Sequence, residues 1–115
     1  MHEVSLAGGI LAAVEAAAAR DPFARVSRLR LEAGQLAGVE VEALRFALEA
    51  LAPGTLLAGA RIDIEQPPGQ AWCLECAASV ALPERGAACP QCGGYWLQPT
   101  GGTELRILDL QVEDH

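Results

Sequence analysis

The chain has 115 residues, 8 basic against 15 acidic side chains for a formal charge of −7, and four cysteines, which suits one domain, or one small domain carrying a smaller module. Of its 59 hydrophobic residues (51%) 22 are alanine, leaving 37 for a core in a chain that buries only about two-thirds of its unfolded surface. A membrane span needs roughly 18 uninterrupted apolar residues, whereas the best run, Val4 to Val14, stops at Glu15; the acidic balance, without clustered cations, argues against nucleic acid.

Residues 4–19 place Leu6, Ile10, Val14 and Ala17 at helical spacing among alanines, the strongest helix formers. Arg20-Asp21-Pro22 ends that helix, because proline disfavours helical backbone in the residue before it. Residues 25–33 alternate, with Leu29, Leu31 and Ala33 on one face and Arg28, Arg30 and Glu32 on the other, which predicts a half-buried strand. Arg28 and Arg30 read as solvated, paired charges. After a loop from Gly34 to Gly38, a second helix opens near Glu40 and Glu42, where carboxylates suit the positive end of the helix dipole. Its apolar line is Val41, Leu44, Leu48 and Leu51, closed by Pro53-Gly54.

A second strand is expected at 61–66, with Ile62 and Ile64 inward, and strand–helix–strand in this order predicts a parallel, right-handed crossover. Pro67-Pro68-Gly69 breaks the pattern. Residues 104–112 return to strand character, with a phase shift between Ile107 and Leu108 that burial on both faces or a bulge would produce. The reading is an α+β fold: a small mixed three-stranded sheet with two helices, formed by 1–66 plus 104–115, and an inserted module at 67–103.

The inserted module has few large apolar residues, but it holds Cys73-x-x-Cys76 and, twelve residues on, Cys89-Pro90-Gln91-Cys92. Two such pairs match a closed four-cysteine zinc site: each chelates from one tight turn, and the two turns meet around a tetrahedral ion. Gly93 and Gly94 allow the positive φ such a knuckle needs after its second ligand. A single iron in a similar cage is the alternative, and disulfides would require an oxidising compartment. His2 and Glu3 stand where a signal peptide would carry Lys or Arg, so the expected location is cytoplasmic. Trp72 and Trp96 flank the knuckles and are expected to pack against the module. Four thiolates leave no open coordination position, so this site staples rather than catalyses. No nucleophile–base pair, phosphate loop or acid dyad marks an enzyme.

Met1-His2-Glu3 admits two readings: His2 on a mobile, solvated chain end, or a metal-binding chemistry of its own. A free α-amine, the backbone nitrogens of residues 2 and 3 and the His2 imidazole can surround one metal in a plane, a nitrogen-rich arrangement suited to Ni(II) or Cu(II). The positive dipole end of the first helix opposes a cation there. The other histidine, His115, ends an acidic tail.

The opening MHEVSLAGGIL, the stretch LEAGQLAGVEVEALRFALEAL and the CxxC-x12-CPxCG segment, in this order over the whole chain, resemble the HypA/HybF family of hydrogenase nickel-incorporation proteins. The resemblance implies a nickel metallochaperone, with Ni(II) as cargo at the amino terminus and structural Zn(II) in a separate module. It implies His2 as the essential nickel ligand, Glu3 as a further ligand or orienting group, and Glu40 at a position where some relatives carry an aspartate proposed as a ligand. Cys73, Cys76, Cys89 and Cys92 match the zinc ligands. The partners implied are a HypB-type nickel-handling GTPase and the precursor of the [NiFe]-hydrogenase large subunit, or urease maturation proteins. The rival reading is a zinc-ribbon protein-interaction adaptor without a nickel role. A nucleic-acid version of it is disfavoured because residues 67–103 carry only Glu75 and Glu84 against Arg85.

Overall fold

The computed structural model describes residues 2–114. The chain is α+β, with two helices and six strands: α1 (His2–Arg20), β1 (Arg25–Ala33), α2 (Val41–Leu51), β2 (Arg61–Glu65), β3 (Gln70–Cys73), β4 (Ala78–Ala81), β5 (Leu97–Gly101) and β6 (Leu105–Glu113). No helix among the described residues is long and apolar enough to cross a membrane. Two compact units emerge, one of Met1–Leu31, Glu40–Ile64 and Ile107–His115, the other of Glu32–Val39 and Glu65–Arg106.

The first unit is organised by β1, which pairs with β2 on one side and β6 on the other. The amide of Ala24 and the hydroxyl of Ser27 donate to the carbonyls of Glu113 and Gln111. Numbers that rise along β1 fall along β6, so these two strands are antiparallel. Leu29, Leu31 and Ala33 are buried as their alternation predicts, while Val26 is also buried, one step out of phase with them. On the other face the arginines are paired: Arg28 Nε meets Asp63 Oδ2 at 2.6 Å and Arg30 Nε meets Asp109 Oδ1 at 3.3 Å.

Helix α1 packs on α2, contributing buried Ala7, Ile10 and Val14. Helix α2 buries Val41, Leu44, Ala47 and Leu48, and the Arg45 guanidinium donates to the carbonyl of Ile62, fixing the helix to β2. Leu51 departs from the predicted apolar line: it ends the helix exposed. In β6, Ile107 and Leu108 are both half-buried, which accounts for the phase shift in the sequence.

The second unit is a three-stranded antiparallel sheet in the order β4-β3-β5. Its core is small: Leu36, Ala71, Cys73, Val80, Leu82 and Cys89. The expectation that Trp72 and Trp96 pack against the module is corrected, since they are 38% and 68% exposed. Strand alternation gives the reason. Cys73 points inward, so its neighbours Trp72 and Leu74 must point outward. The amide of Leu74 donates to the carbonyl of Trp96, which places Trp96 opposite Leu74 across the β3–β5 pair. Backbones approach closely where a Cβ on Gly69 would overlap the carbonyl of Leu82 and the side chain of Leu36, and one on Gly34 the carbonyl of Gly102.

Candidate metal centres

The sheet of the second unit ends at a pair of knuckles. Strand β3 delivers Cys73, the turn before β4 delivers Cys76, and the loop before β5 delivers Cys89 and Cys92. Both knuckles turn through a left-handed residue just after their second cysteine, Ala77 at φ 50° and Gly93 at φ 74°. Gly94 does not share that conformation. It is instead tightly placed, with the Glu75 carboxylate and Cys92 Sγ within 3.2 and 3.4 Å of where a Cβ would stand.

The four cysteines are free thiols, and their sulfurs all lie within 4.8 Å of one another. Cys73 Sγ stands 3.7 Å from Cys92 Sγ, and Cys76 Sγ 3.9 Å from Cys89 Sγ. A tetrahedral ion with metal–sulfur bonds of about 2.3 Å places its ligands about 3.8 Å apart, so the donor set fits zinc in both chemistry and spacing. Backbone amides complete it. Those of Cys76, Gln91 and Gly94 donate to the sulfurs of Cys73, Cys89 and Cys92, each at 3.4 Å, and such bonds favour thiolate over thiol. The amides of Cys92 and Gln91 draw the Cys89 thiol down to about 7. The crowding sulfurs of Cys92 and Cys73 push Cys76 up to about 12. Four negative sulfurs cannot coexist at this distance unless a cation neutralises them.

The amino-terminal residues belong to the first unit. His2 opens α1 with its side chain 62% exposed, and its Nδ1 lies 3.5 Å from Glu3 Oε2. The same oxygen accepts the backbone N–H of Glu40, the residue that caps α2, at 3.3 Å. That amide is the main reason the Glu3 carboxyl sits below the usual carboxylate range, with Glu3's own amide and His2 adding to it. The fold thus brings together three residues that sequence reading singled out, although Glu40 enters through its backbone. Among the described residues, the cysteines form the one group of three or more side-chain donors close enough to hold an ion. Met1, whose α-amine was an expected donor, and His115 lie outside the described residues.

Sequence reading missed the amides that serve the sulfurs, and the apolar surface beside Glu3. Phe46 gave the signal for the latter: it stands off the line Val41, Leu44, Leu48 and is 73% exposed.

A family model described as HypA, hydrogenase/urease nickel incorporation, metallochaperone, matches residues 1–112. A hydrogenase maturation factor HypA of Cupriavidus necator is 70% identical over 115 residues, covering 100% of this chain and 97% of its own length. Its counterpart from Polaromonas naphthalenivorans is 65% identical over 114 residues, 99% of each chain. The solution structure of the Ni metallochaperone HypA from Helicobacter pylori superposes with a TM-score of 0.68 over 98% of both chains, at 20% identity. A second solution structure, of a HypA protein, gives 0.70 at 23% identity over 100% of this chain and 98% of its own; these two likenesses concern the fold. With the family match running almost end to end and relatives aligned along their full length, this chain belongs to the HypA family of hydrogenase/urease nickel-incorporation metallochaperones.

Proposed function

We propose that this chain carries Ni(II) at its amino terminus and delivers it during maturation of a [NiFe]-hydrogenase, while Cys73, Cys76, Cys89 and Cys92 hold a structural zinc. The observation that carries the reading is the exposed His2 imidazole beside the anchored Glu3 carboxylate at the start of α1. The first amides of a helix have no intrahelical acceptor, so backbone nitrogens of residues 2 and 3 can join His2 without breaking a helical bond. Glu3, kept anionic, offsets the positive helix end that would otherwise repel the ion. A donor that must release its cargo is served by few ligands at an exposed place. His2 is the principal ligand, Glu3 a ligand or orienting group, and Glu40 acts through its amide.

Zinc, when bound, supplies folding energy to the second unit and performs no chemistry, since four thiolates fill its coordination sphere. The nickel-bearing domain is assigned to 1–66 plus 104–115 and the zinc-bearing module to 67–103. The partners proposed are a HypB-type GTPase and the hydrogenase large-subunit precursor, and the compartment is the cytoplasm. Non-catalytic transfer fits the absence of any acid–base or nucleophile constellation in the sequence.

The decisive experiment titrates Ni(II) into zinc-loaded protein with its native start, beside His2→Ala and a variant extended at the amino terminus. The native chain is expected to bind nickel in a near-planar spectroscopic form and the two variants to lose it. Equal binding by all three would refute the proposal and leave the adaptor reading.

A further inference from the structure

The four sulfurs of the second unit are chemically alike but unequally placed. Cys73 and Cys89 are buried, at 0% and 2% exposure, Cys76 is half-buried, and Cys92 alone of the four is exposed. Gln91 and Gly93 on either side of Cys92 are exposed as well, so a reagent from solvent reaches the cluster through the second knuckle. The close sulfur pairs run across the knuckles: Cys73 with Cys92 at 3.7 Å and Cys76 with Cys89 at 3.9 Å. An exposed sulfur with a second one in contact behind it is the arrangement that makes a cysteine an oxidation sensor.

We propose that the cysteine cluster is a redox switch, in which hydrogen peroxide oxidises Cys92 and Cys73 then closes on it as a disulfide, releasing the zinc. The inference rests on the zinc part of the reading above and is independent of nickel. The Cys92 sulfur attacks one peroxide oxygen; an S–O bond forms, the O–O bond breaks, and the departing hydroxide takes a proton from solvent. Cys73 then attacks the Cys92 sulfur; the S–S bond forms, the S–O bond breaks, and a second hydroxide leaves and is protonated. Two thiolates lose two electrons in all, and the peroxide with two protons becomes two waters. A disulfide needs its sulfurs about 2.0 Å apart, so Cys73 and Cys92 have less than about 2 Å to close. Only Cys76 and Cys89 then remain to hold an ion, too few for a closed zinc site, and a second peroxide oxidises that pair in the same way. A small neutral oxidant suits the surroundings. The Glu75 carboxylate and Cys92 Sγ lie 3.2 and 3.4 Å from one point beside Gly94. That carboxylate and the net charge of −7 oppose an anionic oxidant such as glutathione disulfide.

The test adds hydrogen peroxide to the full zinc-loaded chain under anaerobic conditions. Zinc release is followed with a chromophoric chelator, and unreduced peptides are mapped by mass spectrometry. A parallel sample contains dimedone, which captures sulfenic acids. The chain is expected to lose all its zinc by the second equivalent of peroxide consumed. The first disulfide to form should be Cys73–Cys92, with dimedone found on Cys92, and dithiothreitol with added zinc should restore the starting protein. A first disulfide within one knuckle, Cys73 with Cys76 or Cys89 with Cys92, overturns the inference, as does one between two chains. Dimedone on Cys73 or Cys89 in place of Cys92 overturns it too, and so does faster zinc release by glutathione disulfide than by peroxide at equal concentration. Zinc retained in a tenfold excess of peroxide overturns the switch and leaves the zinc reading standing. A chain that takes up no zinc at the outset overturns the zinc reading, and this inference with it.

Discussion

The backbone N–H of Glu40 donates to Glu3 Oε2 at 3.3 Å, tying the residue that opens α2 to the first turn of α1. Because the same oxygen lies 3.5 Å from His2 Nδ1, one carboxylate positions the imidazole and is itself positioned by the second helix. Glu3→Ala is therefore expected to weaken nickel binding roughly tenfold, the usual effect of losing an orienting partner. Glu40→Ala keeps the donating amide and should change affinity by less than about twofold. Competition against a chromophoric nickel chelator measures both, and a tenfold loss in Glu40→Ala would instead assign its carboxylate to the metal.

Replacing buried Cys73 with serine should abolish stoichiometric zinc and unfold the second unit. Its core of Leu36, Ala71, Val80 and Leu82 is too small to stand without its staple. Zinc binding in such modules is coupled to folding by on the order of 10 kcal/mol. Amide resonances of Ala71, Val80 and Leu82 should collapse in Cys73→Ser, while those of Leu29 and Leu44 persist. A strong chelator added to the parent should reproduce the pattern. Retained, dispersed resonances in Cys73→Ser would show that the unit does not depend on metal.

Asp63 carries a pH signature. Hydrogen bonds from Arg28 and Arg61 hold its carboxyl below the usual carboxylate range. A depressed folded-state pKa adds stability that is fully present above the unfolded-state value, near 4, and is lost as pH falls through the folded value. Asp63→Asn should thus lower the Tm at neutral pH, and the gap to the parent should narrow only below about pH 4. Zinc loss in acid affects both chains alike, so the difference between them is the quantity to follow. A gap that stays constant into acid would remove the ion pairs from the explanation.

Two glycines should respond in opposite directions. Gly8 lies exposed within α1, and a Cβ there would meet nothing within 4 Å. Gly8→Ala should stabilise the chain by about 0.5–1 kcal/mol through helix propensity and reduced unfolded-state entropy. At Gly69 the added methyl would collide with the Leu82 carbonyl and with Leu36, so Gly69→Ala should destabilise by about 3 kcal/mol or more. Denaturant unfolding of the zinc-loaded proteins separates the two, and a neutral Gly69→Ala would contradict the close approach.

The limits of β1 were legible in the sequence because Leu29, Leu31 and Ala33 alternate against charged neighbours, and alternation is a local property. The clustering of the four cysteines was equally legible, since two tight turns of short fixed spacing bring their sulfurs together. The three strands around them were not, because their inward positions are filled by Ala71, Cys73 and Val80, too little apolar bulk to mark a pattern. The outward-facing tryptophans follow from the same fact. The cluster of four cysteines takes the place a hydrophobic core would otherwise fill, and the large rings are left on the other face.

By itself the sequence determined the two helices, the strand–helix–strand order, the pairing of cysteines into knuckles and the family resemblance that singles out His2. Each is carried by spacing between neighbours or by a short motif, and so survives without knowledge of the fold. Only the tertiary structure decided that Glu40 meets Glu3 through its amide, that Leu36 is buried with Cys73, and that Val4 and Phe46 border one groove beside Glu3. These residues lie some forty positions apart in the chain. What joins them is the packing of α1 on α2 in one unit and the close approach of glycine backbones in the other, long-range contacts that no local periodicity encodes.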